Sequence, residues 1–255
     1  MDVIIFGGQS NMQGQTGEMP SVNDAVDGAL EYRLNENELV PLKLPVGEDL
    51  GGNKYLLGAS HGCGSLIPPF CREYVKATGR QVVAISACRG DTTVEDWQKG
   101  TYRYRTAHYK MTRGIAKAKS LGEVEHIYFV WLQGESDAII ESTEEEYLER
   151  LTRLKNTLKR EVGIEKFGII KVGYFYCNSQ WHKGGNYDNK KRCDETIMSA
   201  QERAAAEDSD FVMLTRVCTE LSMKSEYINP EASGHYNNAA MDIIGTEAAK
   251  GLAAI

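Results

Sequence analysis

Short apolar runs recur along this chain, each separated from the next by a stretch of helical periodicity, and that alternation constrains the fold more than any other feature. The runs are Val3–Phe6, Gln81–Ser86, Glu125–Leu132, Phe167–Tyr176 and Phe211–Leu214. They are rich in β-branched and aromatic residues and nearly continuous in their apolar character, as strands covered on both faces are. Between and after them, Pro68–Thr78, Tyr104–Leu121, Thr143–Val162, Asp194–Glu207 and Asn238–Leu252 read as helices. Proline opens the first and Gly79 closes it. Thr143–Val162 carries acids in its first turn and bases later, as the helix dipole favours. Strand and helix in alternation imply an α/β protein: a mostly parallel sheet of about five strands with helices on both faces. Residues 13–60 are weakly periodic and rich in Gly, Asn and Pro. A loop-heavy excursion that long in a compact domain is usually functional or hides short elements. No repeat or linker divides the 255 residues, so one domain over 1–255 is expected.

Charge and cysteine usage narrow the partners. With 29 basic and 36 acidic residues the net charge is −7. No basic stripe is visible, which argues against nucleic acid as a partner. The longest uninterrupted apolar stretch, Ile127–Leu132, falls far short of the roughly 20 residues needed to cross a bilayer, so no membrane partner is expected either. The six cysteines form no Cys-x-x-Cys pair and read as buried small hydrophobes in a reducing compartment. Met1-Asp2-Val3-Ile4-Ile5-Phe6 lacks the cationic segment of a signal peptide, and a cytoplasmic location is the expectation. Oligomeric state stays open.

In folds of this class ligands bind at the carboxyl ends of the strands. After the first run comes Gly7-Gly8-Gln9-Ser10-Asn11-Met12. After the second comes Ala87-Cys88-Arg89-Gly90-Asp91-Thr92-Thr93, and after the third Gln133-Gly134-Glu135-Ser136-Asp137. Gly234-His235-Tyr236-Asn237 precedes the last helix. Together these supply a serine, a histidine, glycine amides and side-chain amides, the groups that acyl transfer requires. A serine after a strand is also a common helix cap. The pattern is not the Gly-x-Ser-x-Gly elbow, because Met12 stands at the second glycine position. No His/Cys/Asp spacing suits zinc, and no glycine-rich phosphate loop is present.

Taken in order, Gly8-Gln9-Ser10-Asn11-Met12, Gln133-Gly134-Glu135-Ser136-Asp137 and the near-terminal His235 resemble the SGNH hydrolase superfamily. Within it the chain is similar to the branch of sialate O-acetylesterases and acetylxylan esterases, carbohydrate esterase family six. Gly90-Asp91-Thr92-Thr93-Val94-Glu95-Asp96-Trp97 resembles that branch's Gly-Gly-Thr-Ser-Ile-x-x-Trp segment, and the likeness covers nearly the whole chain. It implies a flavodoxin-like three-layer α/β/α sandwich and a serine esterase without cofactor, acting on a small acetylated sugar. Ser10 would be the nucleophile and His235 its base. The N–H groups of Ser10 and Gly90, with the Gln133 side chain, would form the oxyanion hole. Gln9, Asn11, Arg89 and Trp181 are candidate substrate contacts, Arg89 for an acidic sugar and Trp181 as a stacking surface, while Trp97 and Trp131 read as core.

One position departs from that pattern. An orienting Asp is expected three residues before the histidine, and residue 232 is Ala. Three arrangements stay open: a Ser10–His235 dyad with a backbone carbonyl fixing the ring, Glu231 as substitute acid, or Glu135 reaching over from the neighbouring strand end. Two other activities also remain, a lipid or general short-chain esterase of the same superfamily and a glycan-binding module whose catalysis has lapsed.

Overall fold

The computed structural model describes residues 1–48, 64–175, 193–232 and 234–255. Strand β1 (Asp2–Gly8) is buried along its whole length. Its side chains alternate between two cores, Val3 and Ile5 facing one, Ile4 and Phe6 the other, as the two-residue strand period requires. The next elements in the chain are helix α1 (Ser10–Gln13) and the strands β2 (Ala29–Arg33) and β3 (Glu38–Pro41). Then come α2 (Ile67–Thr78), β4 (Val82–Ser86), α3 (Tyr102–Lys119), β5 (Ile127–Leu132), α4 (Glu135–Ile139) and α5 (Glu144–Glu161). Strand β6 (Lys166–Ile170), α6 (Cys193–Glu207), β7 (Phe211–Thr215), α7 (Val217–Leu221) and α8 (Asn238–Ala253) complete the order.

The strands form one sheet in the order β3-β2-β4-β1-β5-β6-β7. All neighbours run parallel except β2 and β3. The mostly parallel sheet is as expected, but among the described residues it has seven strands rather than five. The extra pair is a hairpin inside residues 13–60. Its outer strand, β3, is exposed or half-buried at every residue and so carries little apolar signal. Strand β6 stops at Ile170, well short of the Tyr176 expected from its apolar run. Helices α2 and α8 cover one face, burying Phe70, Tyr74, Met241 and Ile244 against Phe6. Helices α3, α5 and α6 cover the other, with Met111, Leu154 and Ile197 against Phe129 and Phe167. Trp97 and Trp131 lie in this second core, ring edge to face at 5.2 Å. Cys71, Cys88 and Cys218 are buried free thiols. No helix among the described residues is long and apolar enough to cross a membrane.

Without the hairpin, the strand order in chain sequence is 2-1-3-4-5, the doubly wound flavodoxin-like arrangement. The chain leaves β1 toward β4 on one side and later crosses to β5 on the other. The crevice of such a sheet opens at that switch, beyond the carboxyl ends of β1 and β5. Gly8 makes the close approach there possible. Its φ is +133°, and a Cβ would stand 2.1 Å from the Leu132 carbonyl oxygen at the end of β5. The chain then turns at once into α1, with Gln9 N–H donating to Leu132 O at 3.1 Å.

Candidate active site

Ser10 is the first residue of α1, set over the switch point by the turn at Gly8 and Gln9. His235 arrives from the far end of the chain on a loop closed by two features. Ile228 pairs with Tyr236 in an antiparallel bridge, and Asn229 N–H donates to His235 O at 2.8 Å. The two side chains meet: His235 Nε2 lies 2.9 Å from Ser10 Oγ. Nδ1 of the same ring lies 3.1 Å from the carbonyl oxygen of Ala232. A carbonyl can only accept, so Nδ1 carries a proton, and in the neutral ring Nε2 then presents its lone pair to the serine hydroxyl. The Phe175 ring stands edge-on to the imidazole at 6.0 Å, at 85°. Gly234, with φ +83°, is where that packing needs a glycine, since a Cβ would fall 2.3 Å from Phe175 Cε2.

The pair opens on a cavity of about 390 Å³. Gln9, Gln13, Gln15, Arg89, Asp91 and Ser136 bring polar side chains to it beside Ile139 and Phe175, while carbon makes up most of the exposed wall. A serine hydroxyl held against an imidazole nitrogen at the mouth of a pocket can be deprotonated as it attacks when that nitrogen is free to accept, which is the requirement for nucleophilic acyl transfer.

Comparison with known proteins gives the family. The model of the carbohydrate esterase, sialic acid-specific acetylesterase family (SASA) matches residues 1–246. The chain belongs to that family. It is a carboxylic ester hydrolase with an SGNH-type three-layer fold. A protein of Arabidopsis thaliana superposes with a TM-score of 0.67 at 17% identity, over 98% of this chain and 96% of that one. NanS superposes at 0.63 and 13% identity, over 99% and 95%. A carbohydrate acetylesterase from Xanthomonas citri gives 0.56 at 15%, over 99% of this chain and 56% of that one. No curated protein sequence matches the chain.

The remaining site residues of this esterase fall into two groups. Gln9 and Arg89, two of the candidate substrate contacts, line the pocket. Gly90 lines it too, and its N–H donates to Gln13 Oε1 at 2.9 Å, so a side-chain carbonyl already sits on this donor. Gln133 is a correction. It is fully buried beneath the site, and its Nε2 faces Thr92 O at 2.9 Å, Asp137 Oδ2 at 2.6 Å and Gln9 Oε1 at 3.2 Å. Two amide hydrogens facing three internal acceptors leave none for an oxyanion. The amide that reaches the pocket is that of Gln9, whose oxygen is held by Gln133 Nε2 and by Ser136 N–H at 3.1 Å.

The alternative orienting acids are likewise corrected. Glu231 is exposed, and its N–H caps the Asn229 side chain at 2.9 Å. Glu135 is buried with Oε1 on Asn11 Nδ2 at 2.7 Å, not on the imidazole. Burial pushes its carboxyl up from the usual carboxylate range, and the Asn11 hydrogen bond works against that rise. Asn11, expected to touch substrate, is 2% exposed and turned into the His235 loop. Trp181 lies outside the described residues. Gln13 and Phe175 were not foreseen. Gln13 stands one helical turn beyond Gln9, a spacing that places both on one face, whereas Phe175 follows a strand that ended earlier than its apolar run suggested.

Among the described residues, Asp2, Glu125 and His126 come together as a possible cation-binding group, but at the opposite end of β1 from Ser10. Arg80 and the Met1 amino group already pair with those carboxylates.

Proposed function

We propose that this esterase removes O-acetyl groups from a carbohydrate, using Ser10 as nucleophile and His235 as general base and acid. The observation that carries the reading is the 2.9 Å contact between Ser10 Oγ and His235 Nε2 at the mouth of the pocket. Ser10 Oγ attacks the acetyl carbonyl carbon while its proton passes to Nε2. The tetrahedral adduct collapses as Nε2–H protonates the departing sugar oxygen, leaving an acetyl-serine. Water then gives a proton to Nε2 and attacks the acyl carbon, acetate departs, and the serine recovers its hydrogen. The imidazolium formed at each stage is held by the Ala232 carbonyl, a neutral dipole where related sites use a carboxylate. In triads of that kind loss of the acid costs up to about 10⁴ in rate. Developing charge on the carbonyl oxygen would be met by Ser10 N–H, by Gly90 N–H once Gln13 gives way, and by the Gln9 amide. Each such donor is worth roughly 3 kcal/mol of transition-state stabilisation.

The polar side chains that reach the pocket, Gln9, Gln13, Gln15, Arg89 and Asp91, support a sugar as the group that departs. Arg89 at the rim supports an acidic sugar such as a sialic acid. Free acetate should be released from acetylated sialic acid or acetylated xylooligosaccharide, and p-nitrophenyl acetate should be cleaved far faster than p-nitrophenyl octanoate. Ser10→Ala should abolish turnover with the circular dichroism spectrum unchanged. Retained activity in that variant would remove Ser10 from the mechanism. Faster octanoyl cleavage would favour the lipid-esterase reading.

A further inference from the structure

The base of this esterase is oriented without a carboxylate on its ring, yet a buried carboxylate lies one hydrogen bond away from the loop that carries it. Asn11, next to the nucleophile, spans the two. Its Nδ2 donates to Glu135 Oε1 at 2.7 Å and to Gly234 O at 3.2 Å, and its Oδ1 accepts from Tyr236 N–H at 3.3 Å. Gly234 and Tyr236 are the residues on either side of His235. One amide, attached to the same short helix as Ser10, thus grips the backbone before and after the base. That fixes the distance from Oγ to Nε2 through covalent structure, since nucleophile and clamp are neighbours in the chain.

Glu135 is an expensive way to hold an asparagine if stability alone were at stake. It is 2% exposed, and among the described residues Oε2 has no side-chain partner, the carboxyl being met otherwise by the backbone at Gly134 and Glu135. A buried polar atom left unsatisfied destabilises a fold, and in native proteins such atoms concentrate where function requires them. The titratable groups acting on or near this carboxyl are Asp194 from α6, Tyr147 from α5, Cys218 from α7 and Tyr236 from the histidine loop. Asp194 adds a like charge, and Asn11 is the side chain that donates to the carboxyl.

We infer that Asn11 and Glu135 are positioning residues for the base: Glu135 fixes the Asn11 amide, and Asn11 holds the Gly234–Tyr236 backbone so that the imidazole spans Ser10 Oγ and Ala232 O. The inference rests on Ser10 and His235 being nucleophile and base. It divides labour that an Asp at position 232 would perform by direct contact.

The test measures kcat and KM for p-nitrophenyl acetate in Asn11→Ala, Glu135→Leu and Glu135→Gln, each alongside its thermal unfolding. Misplacing a reacting group by an ångström costs up to about a hundredfold, so Asn11→Ala and Glu135→Leu should lower kcat ten- to a hundredfold, with KM changed less than threefold. Glu135→Gln keeps an oxygen for Asn11 Nδ2 and should restore kcat to within about fivefold of the parent. A role confined to packing would instead leave Glu135→Leu, which fills a similar volume without the acceptor, close to the parent in kcat. A second readout needs no turnover. In Ser10→Ala the His235 Nδ1 proton, held by Ala232 O, should give a slowly exchanging NMR resonance, and adding Asn11→Ala should broaden or shift it. Wild-type kcat and an unchanged resonance in folded Asn11→Ala would overturn the inference while leaving the dyad intact. Full activity in His235→Ala would instead overturn the dyad, and the positioning role with it.

Discussion

Gln13 shows at the scale of one residue how the site can be complete and still closed. Its Oε1 occupies the Gly90 N–H, one of the donors we propose for the substrate carbonyl oxygen. An incoming ester therefore exchanges one neutral carbonyl for another, which costs little. Gln13→Glu would alter that balance, because a hydrogen bond to an ionised acceptor is about twice as strong as a neutral one. We expect kcat/KM for p-nitrophenyl acetate to fall about tenfold below the parent near neutral pH, with the ratio to the parent at the same pH narrowing below about pH 5 as the new carboxyl protonates. An unchanged kcat/KM would mean that Gly90 N–H takes no part in binding the carbonyl. Single residues were unevenly legible in the sequence. Ser10, His235, Gly90 and Gln9 follow strands or open a helix, so a pattern of strand ends finds them. The partners of Asn11 and Glu135 do not appear in any local pattern, because they are 124 and more positions apart in the chain. The absence of an acid at residue 232 was plain from the sequence. Which atom serves in its place was not, because a backbone carbonyl has no side-chain signature.

At the scale of elements, the Gln133–Asp137 segment is a brace between β5 and the loop that carries Gly90. Asp137 Oδ2 accepts from Gln133 Nε2 at 2.6 Å and from Val94 N–H at 2.9 Å, while Ser142 Oγ donates to Oδ1. Tyr147 from α5 and Gln201 from α6 close the network on Gln133 O, at 2.9 and 2.8 Å. The motif thus secures the second strand-end loop against the third, a task that looks from sequence like direct participation in chemistry. Gln133→Leu would leave Thr92 O, Asp137 Oδ2 and Gln9 Oε1 each short of a donor, at about 1–3 kcal/mol for each group that stays buried. For a chain of this size that is roughly 2–4 °C of Tm per kcal/mol, so a drop of several degrees is expected by calorimetry. Glutamine acting solely on the oxyanion would give the opposite pattern, a large loss in kcat with Tm unmoved. The β2–β3 hairpin escaped notice for a related reason: at the sheet edge, exposure rather than burial shapes the residues, and strand periodicity fades.

At the scale of the whole molecule, acidic groups pull stability in two directions with pH. Glu31, Glu135 and Asp137 are pushed up by burial, so the fold holds their protons more tightly than the open chain does. Their charged forms count against the folded state at neutral pH, a cost that eases as pH falls through their raised values. Glu202 acts the other way. It ties three elements at the β6–β7 side of the sheet. Arg216, at the start of α7, grips both its oxygens at 2.7 and 2.6 Å, and Lys171 past β6 donates at 2.9 Å. The Arg216 hydrogen bonds are the main cause that holds this carboxyl down at about 2, against an ordinary 4.5. A depressed carboxylate contributes stability that is fully present above its unfolded value and lost as pH falls through the folded one. Glu202 is about one-third exposed, so solvent screens the pair, and its worth stays near the upper end of surface ion pairs, about 1 kcal/mol. Glu202→Gln should therefore melt a few degrees below the parent at pH 7. The gap should begin to narrow below pH 4.5 and be nearly closed at pH 2, and 1 M salt should shrink it at pH 7. A gap that stays constant from pH 7 to pH 2 would show that the Glu202 contacts stabilise by packing rather than by charge.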